Sequence, residues 1–175
     1  MKNALPWLAL AVVLPVQTAV AAEAGDILQT DNLGMNMATW NLSKGTQTTV
    51  SDAQVLSEFV GAHYFPWKDV RVGVVFQFSE QLNPTPKAGD AFRTFAVLPQ
   101  IGWNLYGPLF VAGIFTFAPR TAGGGNLVLG VQALGGVAFE VAKGVKISAA
   151  LEVPYNFYPD QTIGLTPLVG ASFIL

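Results

Sequence analysis

"VKISAALEVPYNF", Val145 to Phe157, is two sequences interleaved. Val145, Ile147, Ala149, Leu151, Val153, Tyr155 and Phe157 are all apolar or aromatic, while Lys146, Ser148, Ala150, Glu152, Pro154 and Asn156 are small, polar or charged. A period of two places the sets on opposite faces of a strand; a helix would mix them. The stretch therefore asks where so uniform an apolar face points.

The pattern recurs. Val70, Val72, Val74, Phe76 and Phe78 alternate with Arg71, Gly73, Val75, Gln77 and Ser79, and Leu127 to Val141 repeats it with Gly130, Gln132, Leu134, Gly136, Ala138 and Glu140 on the less apolar side. Laid end to end, the segments predict eight strands over about 35–43, 52–65, 70–80, 91–106, 109–118, 127–141, 145–158 and 162–175. "PWKD" (66–69), "YGP" (106–108) and "AKG" (142–144) are tight turns. They alternate with mostly longer, more polar connections, "SKGTQTTVSD", "EQLNPTPKAGD", "PRTAGGGN" and "PDQT". An even strand count with short turns at one end and longer loops at the other describes an up-and-down barrel of the bacterial outer membrane.

Composition agrees. The chain is 51% hydrophobic and only 11% charged, against roughly 25% charged in ordinary soluble domains. No segment after the N-terminus offers the roughly 18 consecutive apolar residues of a transmembrane helix. At the N-terminus, Lys2, the apolar "ALPWLALAVVLPV" and the small-residue "TAVAA" form a secretory signal peptide over 1–22. A membrane anchor is the competing reading, but the stretch is short and holds Pro6 and Pro15. The expected organisation is therefore 1–22 signal peptide, 23–34 short periplasmic lead-in and 35–175 barrel. Cysteine is absent, so no disulfide framework stabilises it, and no basic cluster points to nucleic acid.

A soluble eight-stranded carrier turns its apolar face inward. Here Phe59, Phe65, Phe76, Phe78, Phe95, Trp103, Phe115, Phe117, Phe139, Phe157 and Phe173 would then compete for one narrow interior. An eight-stranded barrel only just has room for side chains that fill it. The face rich in Gly, Ala and Ser is thus expected inside, together with Glu58, Arg71, Glu140, Lys146 and Glu152, and the rings outside in lipid. The uncharged C-terminus "PLVGASFIL" (167–175) is then the closing strand, since open amides in hydrocarbon cost several kcal/mol each. The chain here resembles small outer-membrane barrels of the OmpA transmembrane-domain, OmpX and OmpW-like kinds. The resemblance implies that Gly170, Phe173 and Leu175 form the C-terminal signal read by the barrel-assembly machinery. The terminal Leu replaces the commoner Phe, and the polar residue that usually precedes the glycine is missing.

Little here reads as chemistry. The single histidine, His63, is expected with Tyr64, Phe65, Trp67, Trp103 and Tyr106 in an interfacial aromatic belt, not as the base of a lipid-modifying triad. The "AKG" turn sets Glu140 opposite Lys146, and Arg71 lies near that end, so the inward charges read as a lumen ion-pair network, with a conducting lumen as the sharper alternative. Arg93 and Arg120 fall near the outer rim. Pro99, Pro154 and Pro167 interrupt strands and mark bulges, bends or a lateral opening. "TAGGGN" (121–126) lacks the Lys-Ser/Thr of a phosphate loop, and no cofactor or metal is expected. Inward Leu98, Ala112, Ile114, Leu134, Ala138, Leu168 and Ile174 are apolar for a watery pore. The expectation is a largely closed barrel with a structural, lipid-contact or surface-interaction role. Passage or binding of small hydrophobic molecules is the alternative, a lipid-modifying enzyme the third.

Overall fold

The computed structural model describes residues 23–35, 38–42, 55–81, 93–119 and 127–175. The strands are β1 (Ile27–Met35), β2 (Ala38–Asn41), β3 (Val55–Trp67), β4 (Val70–Gln81), β5 (Arg93–Asn104), β6 (Leu109–Ala118), β7 (Val128–Ala142), β8 (Val145–Tyr158) and β9 (Thr162–Ile174). Every neighbour in the sheet is antiparallel and consecutive, and β1 pairs with both β3 and β9, which closes the barrel. β2 continues β1 along the same edge of β9, so the two are one wall of an eight-stranded barrel. Closure removes the open sheet edge that hydrocarbon does not tolerate.

The register fixes the tilt. Followed from wall to wall, Thr30 leads to Gly61, Val75, Leu98, Thr116, Gly130, Asn156 and Thr162, and returns at Asn41, eleven residues further along the chain. Spread over eight strand spacings, that stagger corresponds to a strand tilt of about 40°. The three tight turns sit together at one end, each with one left-handed residue: Asp69, Gly107 and Gly144. Both ends of the described chain are tied there, by Gly25 N–H to the Phe65 carbonyl and Leu175 N–H to the Ile27 carbonyl.

The first wall begins earlier than the sequence suggests. Ile27–Met35, most of the expected lead-in, is strand. The reason is its composition: Thr30 and Asn32 face in, while Gln29 and Asp31 face out among Ile27, Leu33 and Met35. With polar groups on both faces it has no amphipathic signature, and only pairing with β3 and β9 reveals it.

Nine of the eleven rings face outward as expected. Phe76, Phe78, Trp103, Phe115, Phe117, Phe139, Phe157 and Phe173 are exposed on the wall, and Phe95 packs beside Phe76 and Phe78 at 5.9 and 5.3 Å between centroids. Phe59 and Phe65 do not; both are buried inside. Their strand is opposite in phase to the expectation. Across β3 and β4, Phe59 faces Gln77 and His63 faces Gly73, so they share the inward face, whereas Glu58 pairs with Phe78 on the outside. A register shift between Tyr64 and Trp67 is responsible. One extra residue reverses which parity looks inward.

Inside, Phe59, Val75, Ala96, Leu98, Ile114 and Leu168 form one apolar cluster, with Leu134 and Ala150 against it. The register sets Phe59, Val75, Leu98, Ile114, Leu134 and Leu168, from six walls, at nearly one level of the barrel. A second, smaller cluster, Leu28 and Phe65 with Ile174, lies at the short-turn end.

Candidate functional site: the barrel interior

Above the apolar layer, toward the longer loops, the lumen is polar. Ser57 and Ser79 hydroxyls are 2.7 Å apart across β3 and β4, and the Gln77 amide donates to both, at 3.3 and 3.0 Å. Asn156 Nδ2 donates to Thr162 Oγ1 at 3.0 Å. Inward-facing Thr116, Gln132 and Thr166 are buried at this level.

Below the layer lies a second polar region. His63 Nε2 is 3.0 Å from Gln100 Oε1, and the Arg71 guanidinium carbon sits 4.9 Å over the Phe110 ring, a cation–π contact. Gly102 makes room for this arginine: a methyl there would lie 2.7 Å from Arg71 Nε. Ser148 Oγ donates to Asn32 Oδ1 at 3.2 Å. At the mouth Glu140 stands directly opposite Lys146, as the "AKG" turn predicts, and Glu140 also accepts from the Gly144 N–H at 3.0 Å.

Among the described residues two cavities lie along the lumen. An internal one of about 60 Å³ touches Arg71, His63 and Gln100 below and Glu152 and the apolar layer above. A vestibule of about 280 Å³ opens at the short-turn end, lined by Lys68, Asp69, Tyr106 and Lys146, and shares Arg71, Phe110, Ala138 and Ser172 with the first. Among the described residues six buried side-chain atoms make no hydrogen bond: Thr30 Oγ1, His63 Nδ1 and Arg71 Nε below, Thr116 Oγ1, Gln132 Oε1 and Glu152 Oε1 above.

Of the anticipated lumen charges, Arg71, Glu140, Lys146 and Glu152 are inward and buried. They do not form one network: the first three gather at the mouth, whereas Glu152 stands apart between Leu134 and Thr166 at the apolar layer. Glu58 is a correction, an exposed residue of the outer wall. In the expected belt, Tyr64, Trp67 and Trp103 are exposed on the outer surface and Tyr106 is exposed in the turn beside the vestibule, but His63, 3% exposed, and Phe65, 1%, belong to the interior. Gly170 faces inward against Asn32, and Phe173 and Leu175 face outward. Pro99 and Pro167 remain inside paired strands. At Pro154 the β8–β9 pairing is interrupted between Glu152 and Tyr155. Arg120 and the Arg93 side chain lie outside the described residues, as do 1–22. Among the described residues no cluster of three or more His, Asp or Glu side chains is placed to hold a metal. Gln100, Phe110 and Thr30 were not anticipated; inward parity marks Gln100 and Phe110, and no sequence signal marks Thr30.

No family model matches the chain, and no curated protein does. Solved structures do. Neisserial surface protein A superposes with a TM-score of 0.60 at 16% identity, over 86% of this chain and 97% of its own. The N-terminal β-barrel domain of Pseudomonas aeruginosa OprF gives 0.60 at 11%, over 88% and 100%. The fold is that of a small outer-membrane β-barrel. Ail, the attachment invasion locus protein of Yersinia pestis, shares the barrel with a TM-score of 0.55 at 11% identity, over 87% of this chain and 99% of its own. At such identities the likeness shows the fold of the small outer-membrane barrel alone.

Proposed function

We propose that this outer-membrane barrel is closed to solutes by its own side chains and serves a structural, lipid-contact or surface-interaction role. The observation that carries the reading is the apolar layer: six inward side chains from six walls meet at one level, and Leu98 among them is 0% exposed. A packed apolar constriction excludes hydrated ions, because nothing there replaces their water. The exposed aromatic wall supports direct contact with outer-membrane lipids. The closing strand, with Gly170, Phe173 and Leu175, is what the barrel-assembly machinery would read. The names of two neighbours, a surface protein and an attachment protein, support a role at the cell surface.

Against the enzyme reading, His63 is buried on the lumen side and bonded to an amide, not a carboxylate. Passage of small hydrophobic molecules has one observation in its favour, the apolar character of the same layer. Planar-bilayer recordings and liposome uptake of an apolar solute test both. Wild-type protein is expected to show no stable conductance and no uptake, and the pair F59A/L98A to admit ions. Conductance by the wild type overturns the closed interior, and uptake blocked by Ala112→Phe establishes the hydrophobic path.

A further inference from the structure

We propose that the lumen carries a file of water molecules along which protons cross the apolar layer, with Glu152 as the relay, while other ions are held back. The inference rests on the closed interior above and adds to it one permeant species.

Glu152 is 3% exposed and is the titratable side chain that β8 inserts at the level of the apolar layer. The groups around it are Leu134 on β7, Thr166 and Leu168 on β9, and, lining the same cavity, Asn32, Phe59 and Leu98. None of these titrates. The ionisable groups that share the cavity are His63 and Arg71, on its lower side. Four unbonded, more than nine-tenths buried polar atoms line this one space: Thr30 Oγ1, His63 Nδ1, Arg71 Nε and Glu152 Oε1. A buried polar atom without a partner costs about 1–3 kcal/mol, so the four call for a small ligand that both donates and accepts. Water meets that demand. A cavity of about 60 Å³ exceeds the roughly 10–15 Å³ that a single water requires, so it has room for more than one.

The file continues at both ends. Downward it meets the vestibule at Arg71 and Ser172, with Lys146 at the mouth. Upward, Gln132 Oε1 and Thr116 Oγ1 are unbonded on adjoining walls, and Thr166 stands opposite Glu152. In each hop the protonated carboxyl releases a proton from one oxygen to a water on one side, which hands its excess proton on, and takes one at the other oxygen from a water on the opposite side, which is reprotonated by the next water of the file. One O–H bond breaks, one forms, and the carboxyl is restored when it reorients. A metal ion or chloride has no such route through Phe59, Leu98 and Leu168.

The test reconstitutes the folded barrel in liposomes with a trapped pH-sensitive dye and potassium on both sides, applies an external pH step with valinomycin present, and measures potassium leakage in a parallel run without ionophore. Wild-type vesicles are expected to equilibrate pH faster than empty ones and to retain potassium. E152Q should fall to the rate of empty vesicles, E152D should keep part of the flux, and outward-facing E58Q should match wild type. Gel mobility of unboiled samples reports folding. If E152Q does not fold, Q132L, which removes the next polar group above the carboxyl, takes its place with the same expected loss. Wild-type flux equal to empty vesicles, or flux unchanged in E152Q or Q132L, overturns the relay while leaving the closed interior standing. Potassium leakage overturns the closed interior and the relay with it.

Discussion

Leu98→Ala probes the apolar layer directly. Truncation removes the equivalent of three methylenes, about 2.4 kcal/mol of transfer free energy at about 0.8 each. Leu98 is 0% exposed and held among Phe59, Val75 and Ile114, so the walls cannot close on the gap. The hole raises the cost into the range of about 3–5 kcal/mol found for buried leucines. Leu151 is the counterpart on the lipid face, 45% exposed in the bare barrel and paired with Gly135 and Pro167. Acyl chains can fill the space its truncation leaves, so Leu151→Ala loses the transfer contribution alone, about 2 kcal/mol. Reversible urea unfolding in lipid vesicles, followed by tryptophan fluorescence and gel mobility, measures both. Leu98→Ala must be the costlier by at least about 1 kcal/mol. Equal costs, or a Leu98→Ala cost below that of Leu151→Ala, would mean a layer that yields to fill the gap and would refute the packed interior.

Glu58→Leu removes a carboxylate from the outer wall between Leu33 and Phe78 and is expected to raise stability by about 1 kcal/mol in the same assay, since charge on the lipid face is destabilising. Gly102→Ala drives a methyl into Arg71 and should cost about 1–3 kcal/mol; the double variant G102A/R71M should recover part of it if Arg71 is the obstacle. A double-mutant cycle over Glu140→Gln and Lys146→Met should give a coupling of about 0.5–1 kcal/mol, and a value of zero would deny that the cross-strand pair interacts.

How much was legible follows from what each signal depends on. Two predicted strands, 109–118 and 145–158, match β6 and β8 to the residue, because period-two patterning over ten or more residues, cut off by turns, is a local property of the chain. The "AKG" turn likewise pointed to the Glu140–Lys146 pairing, which the structure reaches through a one-residue register shift between Glu140 and Ala142. Local pattern also favoured rings outward, because an eight-stranded lumen cannot hold so many.

Three things needed the closed barrel. Ile27–Met35 is a strand only because two neighbours need a partner there; its own residues, polar on both faces, do not ask for one. The inward placement of His63 and Phe59 turns on a single-residue register shift near Phe65, which alternation cannot see, as either parity of that strand carries aromatic rings. The surroundings of Glu152 come from six walls far apart in sequence, brought to one height by the stagger of the strands. Sequence alone thus determined that strands form and how consecutive ones pair, which are short-range matters of periodicity and turn chemistry. Which face of β3 looks inward, and what meets across the axis, were decided by the tertiary structure, because a slip of one residue between β3 and β4 reverses a face and only the closed barrel brings the eight walls together.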